Sequence, residues 1–273
     1  MSHVSIYFFY RRVTTQYFTS DMIDTHCHLY AHEFSHDIEK VMQTAANIGI
    51  ERFYMPAIDS STTAAMFRIE DRYPQAQSMM GLHPCSVNEL YEDEILHVEQ
   101  WLKQRKFAAI GEIGLDFYWD KTFTDQQYIV FRKQILLALE FNLSIVIHSR
   151  NATAETISVI KEYKGQGLKG IFHCFGGSVA EAQEIIDAGF LLGIGGVVTY
   201  KNAGLDEVIK EIDMERIVLE TDAPYLAPAP FRGKRNESGY LIHIAQKIAK
   251  SKNLSLEKVI EITTENALGI FSL

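Results

Sequence analysis

Histidines and carboxylates recur in this chain as short clusters, each following an apolar run. Asp24-Thr25-His26-Cys27-His28 ends the first run, Gly81-Leu82-His83-Pro84 a later one, and Gly111-Glu112-Ile113-Gly114-Leu115-Asp116 the next. Ile147-His148-Ser149-Arg150, His173-Cys174-Phe175 and Glu220-Thr221-Asp222-Ala223-Pro224 follow. Mixed imidazole and carboxylate ligation suits zinc, manganese or, with water filling positions, magnesium. A lone histidine at a strand end is usually a hydrogen-bonded structural residue. Six convergent clusters reverse that reading, because burying so many polar groups with neither partner nor metal is costly. Cations held at such a site can activate water and stabilise the oxygens of a phosphoryl displacement.

His26-x-His28 is diagnostic in itself. Alternate residues of an extended strand face the same way, so both imidazoles enter the same space while Cys27 turns away. The same alternation sends Cys85 and Cys174 to the face opposite their neighbouring histidines, so these thiols are expected to be small buried residues rather than zinc ligands. Arg150 suits a phosphate oxygen as a planar donor, or else an ordinary ion pair with a nearby carboxylate.

The elements that must hold these residues are legible as alternating short apolar and longer amphipathic segments. Strands are expected at residues 22–26, 52–57, 78–82, 108–113, 144–148, 170–174, 190–194 and 217–221. Helices are expected at 35–47, 62–73, 92–104, 124–141, 152–163, 179–188, 205–211 and 240–252, with one more at 255–271. Eight strand–helix units favour a closed (β/α)₈ barrel, whose site lies at the C-terminal ends of the strands, where the clusters fall. An open doubly wound sheet is the alternative, but no G-x-G-x-x-G turn follows the first strand. Gly193, Gly195 and Gly196 alone are weak evidence for a phosphate loop.

At 273 residues, 47% hydrophobic and 22% charged, the chain has ample material for a single large core. One domain is expected over residues 22–273, with residues 1–21 as a dispensable extension or an upstream mis-start whose aromatic side chains could instead cap the barrel bottom. The net charge of −9 argues against a surface that grips nucleic acid over its whole area, though not against a local cleft. Cys27, Cys85 and Cys174 are odd in number and widely separated, so a reducing, cytoplasmic setting is expected. The apolar run at residues 4–10 is too short and too closely followed by Arg11 and Arg12 to be a signal peptide, no membrane span is expected, and no obligate protein partner is evident.

Taken together, and extended by Glu220-Thr221-Asp222-Ala223-Pro224-Tyr225-Leu226 and Arg232-Gly233-Lys234-Arg235-Asn236-Glu237, these motifs resemble the TatD family of metal-dependent hydrolases within the amidohydrolase superfamily. The resemblance covers essentially residues 22–271. It implies a TIM barrel of the metallo-dependent hydrolase type with two divalent cations, zinc, manganese or magnesium. His26, His28 and Asp222 would hold one, His148 and His173 the other, and Glu112 would bridge them; Asp222 would also accept a proton from the attacking water, which is general-base work. His83, Arg150, Arg232 and Asn236 match positions lining the substrate cleft. Two departures are visible: Tyr30 stands where the family commonly has Asp, and Ser238-Gly239 replaces a Pro-containing continuation. Neither is expected to touch a ligand.

The resemblance implies a deoxyribonuclease that removes nucleotides from the 3′ ends of DNA, single-stranded ends in particular. A hydrolase of another ester or amide, such as an aminoacyl-tRNA deacylase or a small-molecule amidohydrolase, is the alternative, and a non-catalytic metal-binding protein is a third. The cleft discriminates the first two: clustered Arg150, Arg232, Lys234 and Arg235 would favour a phosphate polymer, an apolar closed pocket a small molecule.

Overall fold

The structure, a computed structural model, describes residues 21–271. Apart from Asp21, the extension expected at residues 1–21 lies outside the described residues.

The apolar runs become parallel strands: β1 (Met22–Asp24), β2 (Ile50–Pro56), β3 (Ala76–Met79), β4 (Ile110–Asp116), β5 (Ile145–Arg150), β6 (Gly170–Phe172), β7 (Phe190–Ile194) and β8 (Ile217–Leu219). Between them run α1 (Ile38–Asn47), α2 (Ser60–Arg72), α3 (Tyr91–Gln104), α4 (Thr124–Phe141), α5 (Thr153–Lys161), α6 (Val179–Asp187) and α7 (Leu205–Glu211). After β8 come α8 (Leu241–Lys252) and α9 (Leu256–Ile270). No helix among the described residues is long and apolar enough to cross a membrane.

Regular pairing gives two arcs, β1-β2-β3 and β4 through β8 in order. Between β3 and β4 the gap is bridged at Met80 and Ile110, with Gly111 N donating to Met80 O at 3.1 Å. Between β8 and β1 it is bridged by Thr25 N to Leu219 O (3.0 Å), Asp222 N to His26 O (2.9 Å) and His28 N to Ala223 O (2.7 Å). The strands therefore close into the expected barrel.

The pleat sorts side chains by parity. In β5, Ile145 and Ile147 pack outward among the helices and Val146 points inward; Phe53 and Met55 against Tyr54 in β2, and Phe190, Leu192 and Ile194 against Leu191 in β7, repeat the pattern. Counting on by two from Val146, Ile171 and Val218 reaches His148, His173, and Glu220 then Asp222. The interior is thus apolar below and polar at the mouth. Its lower end is filled by α9: the Phe271 ring stacks on Tyr54 at 3.6 Å, and Ser144 Oγ, just before β5, donates to Ile270 O at 2.6 Å.

Several strands stop sooner than their sequence suggests. β1, β6 and β8 were expected to reach 26, 174 and 221 but end at Asp24, Phe172 and Leu219. Beyond those points the backbone leaves the ladder to aim side chains, and Cys174 (φ 49°) and Asp222 (φ 58°) adopt left-handed conformations. β4 and β5 instead run further, because Gly114 pairs with His148 and Asp116 with Arg150. Gly114 is required there: its φ is 143°, and a Cβ would lie 2.0 Å from His148 O. Helix α2 starts two residues before its expected position because the Asp59 carboxylate caps it, accepting from Ser61 N at 3.0 Å.

Candidate metal centre

Six residues expected to hold metal converge at the C-terminal mouth of the barrel. Glu112, on the inward face of β4, is the hub, and its two oxygens face different partners. Oε2 lies 3.2 Å from His26 Nε2 and 3.9 Å from His28 Nε2. Oε1 lies 2.8 Å from His148 Nδ1, 3.5 Å from His83 Nε2 and 3.6 Å from His173 Nε2. Asp222 Oδ1 joins the first set, 3.5 Å from His28 Nε2 and 3.8 Å from His26 Nε2.

Hydrogen-bond partners decide which ring nitrogens are free to ligate. The Tyr30 hydroxyl donates to Pro56 O (2.6 Å), so at His28 Nδ1 (3.0 Å) its oxygen accepts. His28 therefore carries its proton on Nδ1 and presents a bare Nε2 to the centre. His148 Nε2 donates to Asp116 Oδ2 at 2.8 Å, leaving Nδ1 toward Glu112. His173 Nδ1 faces Glu220 Oε1 at 3.0 Å, an ion-pair contact not aligned as a hydrogen bond, with Nε2 inward. His83 is the opposite case. Its Nδ1 accepts from Cys85 N at 3.0 Å, which places the proton of the neutral ring on the Nε2 facing Glu112. Although its donor atoms group with Glu112 and His148 within 4.8 Å, a protonated nitrogen does not ligate. His83→Ala is expected to leave metal content intact, counted by elemental analysis after desalting; loss of a metal would place His83 among the ligands.

The electrostatics favour a cation. Burial pushes the Glu112 carboxyl up, but His173, His26 and His83 outweigh it and hold it well below its ordinary value. Burial likewise works against Asp222, which His173, His28 and His26 keep low. Burial, reinforced by His173, lowers His26. Burial also pushes His173 down, yet Glu220, Glu112 and Asp222 raise it to about 10. Without a metal, the ionised carboxylates draw protons onto His173 and, through Asp116 and Glu112, onto His148, so the centre calls for positive charge that a bound cation would supply in the protons' place. The donor atoms of His26, His28 and Asp222 lie within 4.8 Å of one another, and the set fits a divalent cation.

Residues 23–272 match the family described as TatD related DNase. The chain belongs to that family. Over 251 residues it is 40% identical to a Bacillus subtilis (strain 168) protein named uncharacterized metal-dependent hydrolase YabD, covering 92% of this chain and 98% of that protein. A Danio rerio protein named putative deoxyribonuclease tatdn3 is 33% identical over 264 residues, covering 92% and 97%. The crystal structure of YjjV, a TatD homologue from Escherichia coli K12, superposes with a TM-score of 0.87 at 26% identity, covering 92% and 98%. This TatD-family chain is a metal-dependent hydrolase with histidine, glutamate and aspartate clusters able to hold metal.

Against the expectations for a TatD-family site, four corrections follow. Tyr30 does touch an expected ligand, through the bond to His28 just described. Tyr30→Phe is expected to weaken cation affinity about 10–100-fold, the scale of losing such an orienting partner; chelator competition measures it, and an unchanged affinity would contradict the tautomer argument. Asn236 does not line the cleft: it is fully buried, and its Nδ2 donates to Thr221 O and Tyr225 O, both at 2.6 Å, tying the loop after β8. Arg232 is not among the cleft-lining residues either; its guanidinium lies 4.4 Å from the Tyr200 ring centroid. Cys85 and Cys174 do line the cleft, since the short strands and the left-handed turn at Cys174 break the expected alternation. Burial, with Asp222, Glu220 and Glu112 nearby, keeps the Cys174 thiol protonated.

Arg150 lies where expected, lining a cleft of about 910 Å³ together with His28, His83, Glu112, His148, His173 and Asp222. It forms no ion pair with a carboxylate among the described residues. Asp116 and Glu220 were given no role by the sequence. Each stands behind a histidine of the second set, His148 and His173 respectively. The signal was available: Asp116 is four residues from Glu112 on the same inward face, and Glu220 two from Asp222.

Proposed function

We propose that the protein is a deoxyribonuclease acting on accessible 3′ ends of DNA with two divalent cations per chain. The observation that carries this reading is the division of the Glu112 carboxylate, one oxygen toward His26 and His28, which Asp222 also faces, and the other toward His148 and His173. Cations bound there would supply Lewis-acid activation of water and stabilise charge on the phosphate oxygens. Asp222 takes a proton from the attacking water; the new O–P bond forms as the bond from phosphorus to the 3′ oxygen breaks, and that oxygen takes its proton from solvent. Arg150, unpaired and at the cleft, binds a non-bridging phosphate oxygen. The family description and the naming of the Danio rerio relative support the choice of DNA.

A second reading, hydrolysis of another ester or amide such as an aminoacyl ester, is favoured by a specific feature. Of the four cations expected near the cleft, Arg150 alone lines it, and Ile58, Trp119, Tyr225 and Leu226 give it apolar edges. Arg235 is engaged by Asp37 at 2.8 and 2.7 Å and by Glu237 at 2.8 Å. The test is single-stranded DNA labelled at its 5′ end, incubated with enzyme loaded with magnesium, manganese or zinc. A ladder shortening from the 3′ end supports the nuclease. No cleavage, alongside turnover of an aminoacyl ester or small amide, supports the second reading.

A further inference from the structure

β4 ends at Asp116, and the chain then turns out over the barrel mouth as Phe117-Tyr118-Trp119. Tyr118 and Trp119 are 51% and 68% exposed, two large aromatic surfaces left in water beside a polar centre. They are nevertheless held in place. Asp116 Oδ1 accepts from Tyr118 N at 2.9 Å and Trp119 N at 3.0 Å, and Phe117 N donates to Arg150 O at 2.9 Å. The two rings meet edge to face, 4.9 Å apart at 86°. The Arg150 guanidinium lies 4.0 Å from the Tyr118 centroid and 5.4 Å from that of Trp119. Trp119 and Arg150 line the same cleft as His28, His148 and Asp222.

Folding gains little from an indole left in solvent, and an exposed aromatic pair at a cleft edge is a contact surface. What fits it must bring a flat π face and a negative group side by side. An unpaired nucleotide does both: its base stacks on an aromatic ring while its phosphate meets a guanidinium. A base pair inside a duplex offers neither face, because its neighbours already cover it. Tyr225, 52% exposed on the loop after β8, lines the cleft as well.

We propose that Trp119, braced by Tyr118, is a stacking platform for an unpaired nucleobase, with Arg150 holding an adjacent phosphate. This rests on the nuclease reading above and adds the group that recognises the strand.

The test uses manganese-loaded protein and short, fluorescently labelled, phosphorothioate-linked strands that resist cleavage, with anisotropy as the readout. One strand carries a normal base at each position near the 3′ end; its partner is abasic there. Wild type should bind the first at least about 5-fold more tightly, the lower edge of what stacking one base contributes. Trp119→Ala should erase that preference, whereas Trp119→Phe should keep most of it and shows that the loop still folds. Equal binding of the two strands by wild type, or a preference that survives Trp119→Ala, overturns the platform while leaving the nuclease reading standing. Binding of neither strand by an enzyme that turns over another ester overturns both.

Discussion

Asp222→Asn should leave the barrel folded and abolish turnover. Asp222 N donates to His26 O whatever its side chain, so the backbone that closes the barrel is untouched by the change. The substitution removes the carboxylate proposed to take a proton from water, a loss worth roughly 10²–10⁴-fold on its own. It also removes the negative oxygen facing His28 Nε2 at 3.5 Å, so the combined loss should exceed that range. Steady-state hydrolysis together with a thermal melt separates the two effects. A variant that melts as wild type does and retains more than about one hundredth of its rate would remove Asp222 from the chemistry. The same variant is the contamination control for any nuclease assay, since nucleases carried through purification would cleave in both samples.

Glu112→Gln should act first on metal content. A glutamine offers one neutral oxygen where the carboxylate offers two charged ones, so it cannot face both donor sets as Glu112 does. Wild type reconstituted with excess zinc or manganese and desalted is expected to hold two ions per chain, and the variant one or none. Activity should fall by at least about 10²-fold, the scale of losing one electrostatic stabiliser, with a much smaller change in melting temperature of the metal-free proteins. Wild type that retains a single ion at this centre would refute the bridged arrangement.

The barrel and its mouth were legible because the signals are periodic. Residues two apart on a strand share a face, which is why His148 stands above Val146; His26 and His28 meet as expected, Nε2 atoms 3.3 Å apart, although β1 ends at Asp24 and only an isolated bridge from Cys27 to Ala223 lies between them. Periodicity fails where the ladder ends. Cys174 was expected to turn away from the centre, but β6 stops at Phe172 and a left-handed residue redirects the thiol. It fails again in the loop after β8, where partners distant in sequence decide each placement. Arg235 is claimed by Asp37, 198 residues away, and Asn236 is spent on backbone carbonyls. Local sequence carries no trace of either. Tyr30 is intermediate: its departure from the family pattern was visible, but its consequence required knowing that Pro56 O would take the hydroxyl proton.

The seam between β8 and β1 sets an order of events in synthesis. Thr25 Oγ1 reaches Leu219 O across 194 residues, and Thr221 N reaches Asp24 Oδ1 across 197. A ribosome exposes His26 and His28 early, yet the carboxylate that completes their set emerges only when most of the chain is made. Contacts this distant form slowly, since the intervening loop must close before they yield anything. Any cation that takes His26, His28 and Asp222 together therefore binds the closed ring and not the nascent chain, so occupancy and ring closure become one event. Such a cation acts as a clasp as well as a reagent. At a free concentration 100 times its dissociation constant it would hold the ring shut by about 2.7 kcal/mol, and chelation should loosen first the edge where the two ends of the sequence meet.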